Sequence, residues 1–126
     1  MLTGQGRMDV IDLNTIAALR ELREGGESDL LAELIDLFLQ DAPERIAGMR
    51  AAIEGNDWPR LAERAHSLKG SASSLGAVQM AHLCGQLEAM GYGRVERAAA
   101  GGVQAELEQQ FALVRDALER ERSSCH

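Results

Sequence analysis

Apolar residues recur every three or four positions along most of this chain, and turn residues divide the pattern into separate segments. Such spacing gathers the apolar side chains on one face of an α-helix, and that face has to be buried against another element. No stretch alternates between apolar and polar residues as a half-buried strand would. The pattern therefore predicts an all-α protein.

Two helices are predicted before residue 41. The first runs from Leu13 to Arg23 and stops at Gly25-Gly26, and its apolar positions are Ile16, Leu19 and Leu22. Ser28 is a favourable N-cap for the second helix, which extends to Gln40. Residues 41–44, Asp-Ala-Pro-Glu, resemble a further helix start, so either a kink or a new helix follows there. The apolar positions on the two sides of that point are Leu30, Leu31, Leu34, Ile35, Leu37, Phe38, Ile46, Met49 and Ile53.

The next helix is predicted from Trp58 to Ser74, after the turn at Gly55-Asn56. Asp57 is its N-cap, and Pro59 stands in the first turn, where its missing N–H costs nothing. Gly76 follows the helix at a position where glycine commonly ends one.

Two helices are predicted after Gly76. One spans Ala77 to about Met90 and is closed by Gly91 and Gly93. The last runs from about Arg94 to Glu121, with Val95, Val103, Leu107, Phe111, Val114 and Leu118 on one face. Each glycine of Gly101-Gly102 costs about 1 kcal/mol relative to alanine inside a helix. The sequence therefore does not decide whether the last helix is continuous at that point.

Short connections between helices with one apolar face each favour antiparallel packing. We therefore predict an antiparallel four-helix bundle with an additional short N-terminal helix. The length of 126 residues suits a single domain. The predicted organisation is a flexible N-terminus over 1–8, one helical-bundle domain over 9–121 and a flexible tail over 122–126.

Charge and hydropathy exclude several classes of partner. Thirteen basic and twenty acidic residues give a net charge of −7, which opposes contact with nucleic-acid phosphates. No stretch approaches the roughly 18 apolar residues of a membrane span, and the N-terminal MLTGQGR lacks a signal-peptide core. A cytoplasmic protein with no nucleic-acid or membrane partner is expected. Cys84 and Cys125 form no CxxC pair, and Cys84, in an apolar stretch, is predicted to be a small core residue.

One stripe of the central helix carries chemistry-bearing side chains. Residues three, four and seven positions apart share a helix face, so His66, Lys69, Gly70 and Ser73 line up. The opposite side supplies a buried face from Leu61, Ala65, Leu68, Ala72 and Leu75. His66 is therefore predicted to face solvent, where a partner protein could reach it.

The composition of this stripe suits phosphoryl transfer. An imidazole nitrogen is a competent nucleophile near neutral pH, and the ammonium of Lys69 can offset added phosphate charge. Gly70 costs helix stability but leaves room beside the histidine for another molecule. Ser73 could instead simply face solvent or bond to its own preceding turn. A surface histidine near a lysine is commonplace, so these residues alone do not establish a function.

The segment AHSLKGSASSLGA, residues 65–77, resembles the signature of the histidine-containing phosphotransfer (HPt) family, H-x-L-K-G-x-[SA]-x-x-[LVI]-G. Its fixed positions fall on His66, Leu68, Lys69, Gly70, Leu75 and Gly76, and Ser73 is taken with them as a candidate site residue. The flanking segments LFLQDAPERIAGMRAAIEGND and CGQLEAM look like the family's neighbouring helices. The resemblance covers roughly residues 10–121.

The resemblance implies a phosphocarrier rather than an enzyme. His66 would be the sole covalent site, accepting a phosphoryl group on Nε2 from a receiver-domain aspartate and passing it to another receiver. It further implies a monomer whose partners are receiver domains of response regulators or hybrid histidine kinases. No cofactor of its own is expected, and Mg²⁺ would come with the receiver.

By position in the family pattern, Glu88 would orient His66 through Nδ1, where some members have glutamine. An ionised carboxylate can only accept a proton, which fits a ring carrying hydrogen on Nδ1. The alternative is a solvated surface glutamate. Some members carry a basic residue about one turn further on, where this chain has Tyr92, so nothing is carried over there. Arg64 and Arg94 are interpreted as solvated.

Three alternative hypotheses remain at the level of the sequence. The dimerisation segment of a histidine kinase also has a histidine on a helical bundle, but typically with an acidic residue directly after it, where this chain has Ser67. A metal- or haem-binding bundle would draw on His66, His82, Cys84 or His126, yet no ExxH or HxxxH pair is present. The third is a bundle that binds receivers without transferring phosphate.

Overall fold

Five α-helices form nearly all of the described chain, which comprises residues 10–22 and 29–124 of a computed structural model. The helices are α1 (Leu13–Glu21), α2 (Leu30–Glu54), α3 (Trp58–Ser74), α4 (Val78–Gly91) and α5 (Ala100–Ser123). A single 3₁₀ turn, Arg97–Ala99, precedes α5. These two stretches contain no strand, which confirms the predicted all-α class.

The four long helices close into a ring. Helix α3 packs on both α2 and α4, and α5 also packs on both of them. Helix α1 packs against α2. The apolar stripes meet inside this ring, where the largest fully buried side chains include Leu31, Ile35, Met49, Leu61, Leu68, Met80, Leu87, Leu107 and Leu118. The four-helix bundle with an additional N-terminal helix is thereby confirmed.

Aspartates start the first three helices. The Asp12 carboxylate accepts from the backbone N–H of Asn14 at 3.0 Å, and the Asp57 carboxylate accepts from that of Arg60 at 3.3 Å. The second helix is capped by Asp29, so the prediction of Ser28 as its cap is wrong, and Ser28 itself lies outside the described residues. A side chain at this position satisfies an N–H that the first turn leaves without a partner.

Helix α2 runs unbroken through Pro43, so no new helix starts at residues 41–44. Ala42 and Ile46 are both buried, which means that the apolar face continues across the proline. Burial of that face outweighs the hydrogen bond that a proline removes from a helix interior.

The start of the last helix was predicted too early. Helix α5 begins at Ala100, and Val95 is exposed in the turn before it instead of lying on the buried face. Gly101-Gly102 therefore stands in the first turn, and α5 continues through it without a break. The helix ends at Ser123, past the predicted limit of Glu121. Arg122 pairs there with Asp36 of α2 through two hydrogen bonds of 3.0 and 3.2 Å.

Two further residues expected on apolar faces, Leu22 and Leu37, are exposed. The predicted flexible N-terminus, residues 1–8, lies outside the described residues, as do the last two residues of the predicted tail. None of the helices in the described ranges has the length and apolar character to cross a membrane.

Candidate functional site

Helix α3 presents His66 to solvent. Ala65 and Leu68 on its buried side are fully enclosed, whereas the imidazole of His66 keeps 67% of its surface exposed. The sequence pattern predicted this orientation because the apolar residues of α3 occupy the opposite face. A rigid helix therefore holds the ring at the surface of the bundle.

One carboxylate, that of Glu88 on α4, contacts both candidate side chains of α3. His66 Nδ1 lies 2.9 Å from Glu88 Oε2, and Lys69 Nζ donates to Glu88 Oε1 at 2.7 Å. The Glu88 side chain is only 13% exposed. The alternative of a solvated surface glutamate is therefore wrong, because the packing of α3 on α4 encloses this carboxylate.

The charge of Glu88 is set by two opposing effects. Burial alone would raise the pKa of this carboxyl, but the hydrogen bonds from Lys69 and from His66 more than offset it and lower the pKa below its usual value. Glu88 is consequently ionised near neutral pH and can only accept hydrogen bonds. The hydrogen of a neutral His66 ring then sits on Nδ1, which leaves a lone pair on Nε2.

The Nε2 atom of His66 has no hydrogen-bond partner within the described part of the chain. One turn further along α3, Gly70 is exposed, and a Cβ built on it would meet no atom of another described element within 4 Å. The space that the sequence predicted next to His66 is thus present. It is open to solvent and not filled from another helix.

Ser73 does not join this group. It is exposed on α3 two turns from His66, a rise of about 10 Å along the helix axis, and its hydroxyl makes no hydrogen bond among the described residues. The small-residue position of the family signature falls on Ala72, which is buried. The site that the structure assembles therefore consists of His66, Lys69 and Glu88, with Gly70 beside them.

Among the described residues, those considered for a metal site do not form a ligand cluster. Cys84 is buried in the core as predicted, and desolvation raises the pKa of its thiol to about 12. His82 is exposed, and its Nε2 lies 3.3 Å from Gln86 Nε2. Residues 10–22 and 29–124 hold no group of three His, Cys, Asp or Glu side chains that could bind a metal ion. His126 and Cys125 lie outside those ranges.

The contacts of Arg45, Arg64 and Arg94 were not predicted from the sequence. Arg45 of α2 donates to Ser67 Oγ at 2.6 Å, directly after the histidine in the chain. Arg64, interpreted as solvated, lies across Gly48 of α2 so closely that a Cβ there would be 2.9 Å from its Cδ. Arg94 stacks on the Tyr92 ring, 4.8 Å from its centroid. Such contacts join separate helices or depend on a turn, so no local spacing indicates them.

Comparison with known proteins gives matches over most of the chain. A family model described as the Hpt domain matches residues 33–124. Histidine-containing phosphotransfer protein 5 of Arabidopsis thaliana is 34% identical over 83 residues, which are 64% of this chain and 50% of that protein. Multistep phosphorelay regulator 1 of Schizosaccharomyces pombe is 27% identical over 82 residues, 65% of this chain and 28% of that protein. The chain thus spans half or less of the length of these relatives.

A solved structure matches at nearly full length. The crystal structure of histidine-containing phosphotransfer protein B from Pseudomonas aeruginosa PAO1 aligns with a TM-score of 0.82 at 32% sequence identity. The alignment covers 93% of this chain and 97% of that one. The arrangement of helices around the site is therefore shared with a phosphotransfer protein.

Proposed function

The chain belongs to the Hpt domain family, and on that basis we propose that it carries a phosphoryl group on His66 within a two-component phosphorelay. The group would come from a receiver-domain aspartate and pass to another receiver's aspartate. The observation that carries this proposal is the state of the imidazole: Nδ1 is held by Glu88 at 2.9 Å, while Nε2 has no described partner on a largely exposed ring.

The transfer step follows from this arrangement. The Nε2 lone pair attacks the phosphorus of the receiver's aspartyl phosphate, a P–N bond forms, and the P–O bond to the aspartate breaks. The aspartate leaves as a carboxylate with the electron pair of that bond. Positive charge develops on the ring, and the Glu88 carboxylate at Nδ1 stabilises it. The reverse of these steps delivers the group to the second receiver.

The site residues of this chain suit a carrier that acts together with a receiver. Both oxygens of Glu88, the carboxylate in contact with His66, already accept from His66 and Lys69. Glu88 is therefore not available to bind Mg²⁺, and we assign the Mg²⁺ of the transfer to the receiver. We assign the use of ATP to a kinase upstream of this protein. The partners would be receiver domains of response regulators or hybrid histidine kinases. The protein would bind them as a monomer in the cytoplasm.

The proposal is tested by incubating the protein with a panel of radiolabelled, phosphorylated receivers from the same organism. At least one receiver should lose label to this chain, and a second, unlabelled receiver should then recover it. If no receiver of the panel transfers label, the carrier function is wrong. Light scattering on the same sample measures its molar mass. A dimer would favour the alternative of a histidine-kinase dimerisation segment, whereas we expect a monomer.

Removing the ammonium group next to Glu88 should weaken retention of phosphate. Lys69 Nζ uses one donor on Glu88 Oε1, and its side chain is 40% exposed, so further donors can reach a phosphoryl group on His66. That group brings about −1.5 to −2 charges. We expect Lys69→Ala to shorten the lifetime of the phosphorylated protein by about two- to fivefold, the range of a partly exposed ion pair.

The measurement for Lys69→Ala is the rate of phosphate loss from purified, phosphorylated protein, with thermal unfolding as the control for the fold. The melting temperature of the unphosphorylated variant should change little. An unchanged lifetime would show that Lys69 serves only to hold Glu88.

Filling the open space at Gly70 should obstruct the receiver without harming the bundle. Gly70→Gln places a side chain where the new Cβ, apart from its chain neighbours and the backbone of its own helix turn, meets no described atom within 4 Å. An unfavourable contact of about 1.4 kcal/mol with the approaching receiver would slow transfer about tenfold. The helix itself should gain stability, up to about 1 kcal/mol for Gly70→Ala.

The matched control is Gly102→Gln, on the exposed side of α5, where a new Cβ also meets nothing within 4 Å. Transfer kinetics and thermal unfolding of both variants should show slower transfer for position 70 alone. Wild-type transfer by Gly70→Gln would contradict the assignment of this glycine to receiver access.

A further inference from the structure

Helices α3 and α4 approach each other at Gly91, the last residue of α4, too closely to accommodate a Cβ there. A Cβ built on Gly91 would lie 2.7 Å from Ala62 N, 2.8 Å from Ala62 Cβ and 2.8 Å from Trp58 O. Two of these three atoms belong to the α3 backbone, which cannot rotate away as a side chain could. The spacing of the two helices at this end of the bundle therefore requires a residue without a side chain at position 91.

Arg97, in the turn after α4, fixes the same end of the helix. Its Nε donates to Met90 O at 2.9 Å, and a terminal guanidinium nitrogen donates to Gly91 O at 3.2 Å. The guanidinium carbon also lies 4.9 Å from the centroid of the Trp58 ring, at the start of α3. A cation over an indole face is attractive, and the last carbonyls of a helix need donors of this kind. Arg97 thus ties the end of α4 to the beginning of α3.

This end of α4 lies one helical turn from the carboxylate of the site. Glu88 precedes Gly91 by three residues, so the two share a face of α4. Contacts between the two helices follow one another turn by turn: Gly91 packs against Ala62, and one turn away Glu88 contacts His66. An outward movement of α4 at Gly91 would also displace Glu88, because the two residues belong to the same hydrogen-bonded turn of the helix.

We propose that Gly91 and Arg97 are positioning residues for phosphotransfer. They set the separation of α3 and α4 at which the Glu88 carboxylate reaches His66 Nδ1 at 2.9 Å and Lys69 Nζ at 2.7 Å. Neither residue touches the reacting atoms, and each acts through Glu88. Their effect on transfer rests on the proposed function, whereas their effect on the His66–Glu88 hydrogen bond does not.

The test compares Gly91→Ala and Arg97→Ala with the control Gly102→Ala, which makes the same change as the first variant at an open position of α5. Two quantities are measured for each: the nitrogen chemical shifts of the His66 ring by ¹⁵N NMR, and the single-turnover rate of transfer to a receiver. Circular dichroism and thermal unfolding verify the fold. The same substitutions are then made in a Glu88→Ala background, which forms a double-mutant cycle.

We expect Gly91→Ala to displace the His66 Nδ1 shift toward that of Glu88→Ala and to slow transfer about tenfold, the lower end of losses for residues that orient a functional histidine. Arg97→Ala should act in the same direction, about threefold, which is the size of an exposed cation–π contact. Arg97→Lys should restore part of the rate, because lysine can still donate to a carbonyl. In the Glu88→Ala background neither substitution should slow transfer further. Gly102→Ala should leave both quantities at wild-type values.

The inference is overturned if the His66 shifts stay at wild-type values in Gly91→Ala and Arg97→Ala, or if both variants slow transfer equally with and without Glu88. Should Gly91→Ala fail to fold, Arg97→Ala decides alone, because its side chain is at the surface. If the wild-type protein shows no transfer at all, the proposed function fails, and the NMR comparison still decides the positioning role.

Discussion

Replacing His66 with alanine should abolish phosphate uptake completely while leaving the bundle folded. The side chain is 67% exposed, and its described contact is the hydrogen bond to Glu88, so little packing is lost. No other nucleophile of the site can take over, because Lys69 is held by Glu88 as an ammonium donor. We expect no detectable label in His66→Ala after incubation with a phosphorylated receiver that labels the wild-type protein.

The matched control for this experiment is His82→Ala. His82 is an exposed histidine on α4 that forms a hydrogen bond with Gln86, and no carboxylate of residues 10–22 or 29–124 contacts its ring. Its removal should leave labelling at the wild-type level. Acid-labile phosphate that remains in His66→Ala and maps to His82 or His126 would refute the assignment of the acceptor.

The second large effect is expected at Glu88. Glu88→Ala removes the acceptor at His66 Nδ1 and the partner of Lys69 in a single step. The ring then loses its fixed orientation and the charge that stabilises its developing positive charge, for which a loss of about 10- to 100-fold in transfer rate is expected. The fold should persist, because the side chain lies at the edge of the α3–α4 contact and is not part of the apolar core.

Glu88→Gln is the informative companion of this variant. A glutamine oxygen can still accept from Nδ1, but the amide carries no charge to offset that of the ring or of Lys69. Its transfer rate should fall between those of Glu88→Ala and the wild-type protein. Single-turnover kinetics of all three, with thermal unfolding alongside, give the comparison. Equal rates for Glu88→Ala and the wild-type protein would reduce Glu88 to a structural partner of Lys69.

The sequence was sufficient where helical spacing and caps decide the structure. The bounds of α3 follow from Asp57, Pro59 and Gly76, which adopts a φ of +77° after the helix. Its apolar stripe correctly predicted that His66 is exposed. The same reasoning failed at Pro43, because burial on both sides of the proline keeps α2 continuous. Local signals describe one helix at a time, and tertiary packing can override them.

The site itself was only partly predictable. Periodicity aligned Ser73 with His66, but a helical stripe says nothing of which members lie close enough to act together. Glu88 stands 22 residues from His66 in the chain, and only the family resemblance indicated it. Nothing in the local sequence shows that Glu88 would accept from Lys69 as well, or that Gly91 is required for the approach of the two helices. These contacts depend on how α3 and α4 pack.

NMR of the phosphorylated protein with ¹⁵N-labelled histidine determines whether Nε2 of His66 is the phosphate acceptor. Splitting of a ring nitrogen by phosphorus identifies the atom that bears the phosphoryl group. We expect one phosphate per chain, splitting at Nε2 of His66, and a hydrogen retained on Nδ1 toward Glu88. Splitting at Nδ1 of His66, or phosphate on any other residue, would contradict this expectation.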